Sequence, residues 1–321
     1  MMFNRNHRFF SILLLAALSF LAVSACADDP DTSKGFRQEQ GCLLFFDNHP
    51  WIFTVTEPFD PQRFEYTYKV YTHIYDPETD LLLTKGPGGK FTHHRGLFIG
   101  WKQTEVGKTV YDTWHMKAPG VKGGRPCFQE LVRWVNRSDD GTSAVQEAEI
   151  AWRDADTRET FIQETRQISV REQNQKRIID FVSALHNPGK ETVRLKGDPQ
   201  HAGMQLRMAN EVSEHENTTD YLLPEGVTVD KDDVTTPCNW ACGVFEMLQR
   251  KRWILHMTAP GFIDGAPVYS IRKYGRFGAF WETEIPAGDT LTTRFRIVVS
   301  PTALTAEECA AMYQEYAGET K

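Results

Sequence analysis

Four short segments carry side chains whose types and spacing could move protons or hold a polar ligand. In the first, the Gly-rich stretch Gly86-Pro87-Gly88-Gly89-Lys90-Phe91 leads to His93, His94 and Arg95, and Gly96 and the apolar run Leu97–Trp101 follow. Two imidazoles and a guanidinium at the mouth of a strand can bind an anion or transfer protons near neutral pH. The plainer alternative is a loop whose His and Arg only satisfy backbone carbonyls. The second segment, Asp112-Thr113-Trp114-His115, could form a sugar platform with polar handles, unless Trp114 is simply core. In the third, His201 stands just before an alternating strand that puts Gln205 and Arg207 on one face. In the fourth, Arg272, Tyr274 and Arg276 alternate onto one face and Glu282 keeps that parity. An aromatic core strand with snorkelling arginines is the competing reading there.

Several chemistries lack their signatures. No Gly-x-Ser-x-Gly elbow is present, and no Gly-x-Gly-x-x-Gly turn opens a helix. Phe91 after Lys90 breaks the ending a phosphate loop needs. His93, His94, His115 and His201 could supply metal ligands, but no His-x-x-x-His or His-Glu-x-x-His spacing occurs. In a regular strand, adjacent His93 and His94 would point to opposite faces. No metal and no cofactor is therefore expected. The net charge of -7 argues against nucleic acid as a partner, because such domains usually carry a basic face.

The elements that must position these residues are mostly strands. Alternating patterns cover Phe64–Tyr75, Gln129–Val135, Ala144–Trp152, Glu159–Val170, Arg177–His186 and Glu191–Lys196. They continue at Met204–Met208, Gly243–Leu248, Trp253–Met257, Phe277–Glu282 and Leu291–Val299, with Gly/Pro/Asn turn signals between. Many short strands at regular spacing predict an all-β fold, a large antiparallel sandwich. One helix is expected, opened by the capping box Thr305-Ala306-Glu307-Glu308. Residues 39–321 read as a single domain.

The N-terminus reads as a targeting segment. Arg5, His7 and Arg8 precede an apolar run from Phe9 to Leu21, shorter than the roughly 20 residues a membrane span needs. Val23-Ser24-Ala25-Cys26 fits a lipobox, and Ala25-Cys26-Ala27 fits ordinary cleavage. Residues 1–26 are thus expected to be a signal peptide and residues 27–38 a polar tether. The mature chain is expected in the periplasm or cell envelope, with a lipid anchor at Cys26 as one option and no transmembrane segment. Cys238 and Cys242 are close enough in sequence to be bridged, but connectivity is open.

Together the motifs resemble the PmoA-like family of secreted bacterial domains. The resemblance rests on His93-His94-Arg95-Gly96-Leu97 with Gly100, on Asp112-x-Trp114, on Gly203-x-x-x-Arg207 and on Tyr274-Gly275-Arg276-Phe277. The closing strand, Pro286-Ala287-Gly288 with Leu291 and Phe295-Arg296-Ile297, completes it. The methane-oxygenase activity in the family's name does not transfer, because that subunit needs spanning helices. The resemblance implies a β-sandwich related to the galactose mutarotase-like supersandwich. Those enzymes use a histidine and a glutamate at an anomeric centre, and the order His94, His201, Glu282 is similar. This implies catalytic roles for His94, His201 and Glu282. His93, Arg95, Asp112, Trp114, His115, Gln205, Arg207, Arg272, Tyr274 and Arg276 would contact substrate. The family usually has an acidic residue at the position of His201, so no family role is carried there. A carbohydrate or glycan is the expected partner. The alternatives are a glycan-binding module stacking sugars on Trp101, Trp114 and Trp281, and a structural envelope lipoprotein.

Overall fold

A computed structural model of the chain describes residues 36–39, 43–118, 120, 122 and 124–320. The segment expected as a signal peptide, Cys26 and Cys42 lie outside the described residues, as does most of the segment expected as a tether. The first described strand, Phe36–Glu39, overlaps the end of the segment expected as tether and pairs with Leu43–Phe46.

The chain is all-β with a C-terminal helix. An eight-stranded antiparallel sheet runs Phe36–Glu39, Leu43–Phe46, His49–Val55, Tyr71–Ile74, Leu97–Trp101, Ala202–Arg207, Arg276–Phe280, Val268–Arg272. A second one runs Asp220–Leu222, Trp240–Met247, Arg250–Thr258, Thr290–Ser300, Lys176–His186, Thr160–Gln173, Ser143–Asp154, Cys127–Asp139. A four-stranded sheet made of Thr283–Ile285, Val193–Lys196, Gln103–Val106 and Thr109–Tyr111 sits beside them. The two large sheets share one core, to which Leu97, Ile99, Met204, Leu206 and Phe277 contribute from one side and Ile150, Ile168, Phe181 and Phe295 from the other.

Strand alternation is cleanest where one face meets solvent, as in Ser143–Asp154. The centre of the first sheet differs, because every residue of Leu97–Trp101, Ala202–Arg207 and Arg276–Phe280 is buried. Its inner face packs on the second sheet. Its outer face carries Phe98, Gln205, Arg207 and Arg276 beneath covering loops.

One expected strand is corrected. Phe64–Thr67 is a turn of helix, and only Tyr71–Ile74 of that run is extended. Asp60 caps the preceding Pro61–Arg63 turn through Gln62 N (2.9 Å), and the Arg95 guanidinium takes the Glu65 carbonyl at 2.7 Å. These local bonds outweigh the aromatic alternation. The expected helix spans Ala306–Glu319 with both capping-box bonds made. Cys127, Cys238, Cys242 and Cys309 are free and buried, so Cys238 and Cys242 are not bridged.

Between the sheets, Arg166 and Glu164 form a side-on pair (2.8 and 2.9 Å), each at most 1% exposed. Trp152 Nε1 and Ser183 Oγ donate to the same carboxylate at 2.8 Å, and Arg166 Nη1 donates to the Val70 carbonyl. Removing one partner leaves an uncompensated buried charge. Glu164→Ala is expected to cost about 3–5 kcal/mol in urea unfolding, and the double change Glu164→Leu with Arg166→Leu is expected to cost much less. Equal losses in the two variants would contradict this account.

Candidate functional site

Two turns built on the same pattern face each other across the outer side of the first sheet. In Asp112-Thr113-Trp114-His115, the Asp112 carboxylate accepts from the His115 backbone N (2.8 Å) and from His115 Nδ1 (2.9 Å). In Asp198-Pro199-Gln200-His201, Asp198 accepts from His201 Nδ1 at 2.6 Å and from Gln200 N at 3.0 Å. Each carboxylate fixes its ring with the proton on Nδ1 and leaves Nε2 free to accept a proton. The two rings lie 5.1 Å apart, centroid to centroid, and both are partly exposed.

The anchoring of these turns follows from the strands beneath. Thr113 Oγ1 accepts from Trp101 N and donates to the Trp101 carbonyl (2.9 and 3.0 Å). A side chain at Gly100 would meet the Thr113 carbonyl at 2.5 Å, so that position must be bare for the turn to sit down. Arg276 Nη1 donates to the Gln200 carbonyl at 2.7 Å and props up the second turn.

His93 and His94 join the pair. They lie in a tight turn closed by His94 N to the Phe91 carbonyl (3.0 Å), outside any strand. The opposite-face expectation therefore fails, and both rings come together, 4.2 Å apart, with His93 4.5 Å from His115. Gly96 after them has a physical reason: a Cβ there would sit 2.3 Å from the Thr72 carbonyl. His94 stacks on Tyr274 at 6.1 Å, and both its ring nitrogens are buried without a partner.

Trp114 is fully buried under these rings, packed on Phe98 and Phe280 (5.1 and 5.4 Å), with Nε1 unpartnered. Trp101 and Trp281 are also buried, so the expected stacking platform of three tryptophans is absent. Gln205 donates from Nε2 to the Arg95 carbonyl (3.1 Å) and keeps a buried, unpartnered Oε1. Arg207 stands two residues along the same face.

Other expected residues are elsewhere. Arg95 points away from the rings, to Glu65 and Tyr68. Arg272 pairs with Asp233 at 2.9 Å, on the flank. Glu282 is exposed and accepts from Gly197 N at 3.0 Å, and no hydrogen bond or ring contact joins it to the histidines.

Two residues were missed. Asp198 orients His201, and the repeated Asp-x-x-His spacing was the signal. Lys69 is buried, donates to the Trp114 carbonyl (2.6 Å) and lies 3.6 Å over the Phe98 ring. A lysine between Tyr68 and Val70 in an aromatic run was its signal.

Burial dominates the electrostatics. It pushes His93 down to about 2, helped by His115 and Lys69, and holds His94 and Lys69 well below their ordinary ranges. His201 falls to about 4, because burial outweighs the pull of Asp198. Among the described residues, no group of three or more His, Cys, Asp or Glu side chains is arranged to hold a metal ion.

Residues 52–314 match the model of a family of unknown function, DUF6807. The chain belongs to DUF6807. No curated protein matches it significantly. Solved structures similar to this DUF6807 chain include a GH36 α-galactosidase, AgaA, of Geobacillus stearothermophilus bound to stachyose (11% identity, 85% of this chain, 40% of that one, TM-score 0.38). They also include the α-galactosidase of Lactobacillus brevis (10% identity, 83% and 38%, TM-score 0.35). A third is YeaD of Salmonella typhimurium, assigned as a mutarotase (12% identity, 83% and 92%, TM-score 0.29). The chain spans about 40% of the length of these galactosidases. At these scores the likenesses carry no argument about the site.

The buried neutral histidines have a consequence for stability. His73, His93, His94, His201 and His256 are all held below the ordinary 6.5. The unfolded chain therefore binds protons on them at pH values where the folded chain does not, so stability rises with pH across that window. It is complete above pH 6.5 and declines as pH falls from 6.5 towards 4. Scanning calorimetry should show Tm dropping through this range with proton uptake on unfolding. A flat Tm would contradict neutral rings.

Proposed function

We propose that this DUF6807 domain moves protons on a carbohydrate through the two carboxylate-backed histidines, His115 and His201. The observation that carries the reading is the facing pair Asp112–His115 and Asp198–His201, with rings 5.1 Å apart and Nε2 of each unbonded. One neutral ring accepts a proton at Nε2, and the other, once protonated, donates from the same atom. Asp112 and Asp198 stabilise whichever ring carries the charge. Such a pair suits epimerisation, anomeric exchange or elimination. Glycoside hydrolysis normally needs two free carboxyl groups flanking the bond, and both aspartates here are bound to histidines, which supports the non-hydrolytic classes. The proposal replaces the mutarotase-like His/Glu pair with His/His, because the Glu282 carboxylate is bonded to Gly197 N and makes no hydrogen bond with the histidines. Trp114 and Phe98, both fully buried, support the histidine rings from beneath, and His94, Gln205 and Tyr274 are proposed as substrate contacts. We also propose kinship with the PmoA-like family, and export by the N-terminal segment with lipidation at Cys26 as the route to the cell envelope.

The test follows ring and anomeric protons of a sugar panel by NMR in the presence of the protein. His115→Ala and His201→Ala should each lower turnover about 10²–10⁴-fold with the fold retained. The rate should fall as pH drops through about 4, where His201 takes a proton. Full turnover in both alanine variants would overturn the proposal. Saturable binding without turnover would favour a glycan-binding module instead.

A further inference from the structure

Arg207 is 0% exposed and forms no ion pair with a carboxylate among the described residues; Glu216, which acts on it through space, is paired with Lys90. Its Nη1 donates to the Tyr274 and Met208 carbonyls. Its other edge, Nε and Nη2, is buried without any partner. That edge is the one that grips a carboxylate side-on, two N–H groups to two oxygens.

The same molecule shows what that edge is for. Arg166 puts Nε and Nη2 on Glu164 at 2.8 and 2.9 Å. Arg296 puts them on Asp180 at 2.5 and 3.1 Å. Arg252 puts them on Asp76. Arg276, the other buried guanidinium at the site, spends its donors on the Tyr274 hydroxyl, the Gln200 carbonyl and Ser270 Oγ. Arg207 alone in this group holds its side-on edge open. An unpaired buried charge is costly, and Arg207 also stands directly across the strand pair from Arg276. Like charges so placed repel. Both costs are relieved by an anion delivered from outside.

The edge lies beside the proposed chemistry. Arg207 sits 5.0 Å over the Tyr274 ring, and that ring also stacks with His94. Gln205, two residues away on the same face, adds an open acceptor suited to a hydroxyl. The buried guanidiniums there are Arg207 and Arg276, whereas Asp112 and Asp198 are engaged by His115 and His201 and Glu216 by Lys90. Phe91, 42% exposed, packs on the His94 and Tyr274 rings, so the Gly-rich loop covers this side of the site.

We infer that Arg207 is the carboxylate-binding residue of this site and that its substrate is an acidic sugar of the uronate type. The inference rests on the acid–base reading above for the rest of the ring. Arg207 Nε and Nη2 take the two carboxylate oxygens, Gln205 Oε1 takes a hydroxyl, and the ring lies towards His94, His115 and His201.

Isothermal titration of the full chain with glucuronate, galacturonate, glucose, galactose, inorganic phosphate and sulfate tests it. Uronates should bind about ten- to a hundredfold more tightly than the neutral sugars. Arg207→Met and Arg207→Lys should both abolish that preference, the lysine because it keeps charge but lacks the fork. Arg207→Met should change the Tm of the ligand-free protein by a few degrees at most, since relief of the unpaired edge offsets loss of the Nη1 bonds to the Tyr274 and Met208 carbonyls. If it fails to fold, Arg207→Lys decides. Equal binding of acidic and neutral sugars overturns the role of Arg207 and leaves the histidine proposal standing. Binding of phosphate or sulfate without uronate overturns the carboxylate assignment. No binding of any sugar overturns both readings.

Discussion

A strand with both faces removed from water must find a partner for every polar side chain it carries. Ala202–Arg207 is such a strand, and the site depends on this constraint. Its inner residues, Met204 and Leu206, are apolar and need nothing more than packing. Its outer residues, Gln205 and Arg207, are polar and equally buried. Leaving a buried polar group unpaired costs about 1–3 kcal/mol, and more for a charge. Partial satisfaction by the Arg95, Tyr274 and Met208 carbonyls recovers some of that cost. The remainder is concentrated at a few atoms that all sit under the same loops.

The covering loops solve a second problem by one local device used twice. An aspartate three residues before a histidine closes a turn and grips the ring at Nδ1. This sets the orientation of the His115 and His201 rings within four-residue segments. The sheet then needs only to bring the two segments to the same place. It does so through Trp101, which holds Thr113 of the first turn, and through Arg276 on the strand beyond Ala202–Arg207, which holds Gln200 of the second.

How much of this was legible varies with the kind of signal. The all-β class, most strands and the capped helix were readable because turn residues and period-two alternation are local. The Phe64–Tyr75 run misled because aromatic residues on a short helical turn alternate as they would on a strand. The histidine clusters at residues 93–94, 115 and 201 were visible as unusual residue types, and the structure brings them together. That Asp198 would serve His201, and that Lys69 would lie beneath, depends on loops folding over a sheet. Glu282 lies two residues beyond Phe280, where the strand ends, so parity with Arg276 does not fix its face. Parity says which face a residue shares only while the backbone stays extended.

The depressed histidines and the open arginine belong to one electrostatic argument. Burial and neighbouring cations keep His94 and His93 neutral, so as they stand these rings are poor acids. Arg207 and Arg276 are among the charges that push His94 down. A carboxylate seated on Arg207 would cancel that push at a few ångströms and raise the proton affinity of the rings around it. Binding would then prepare the site for proton transfer, and a neutral ring would leave it as it was. The charge that makes the empty site expensive is the one that would let an acidic ligand change how its histidines titrate.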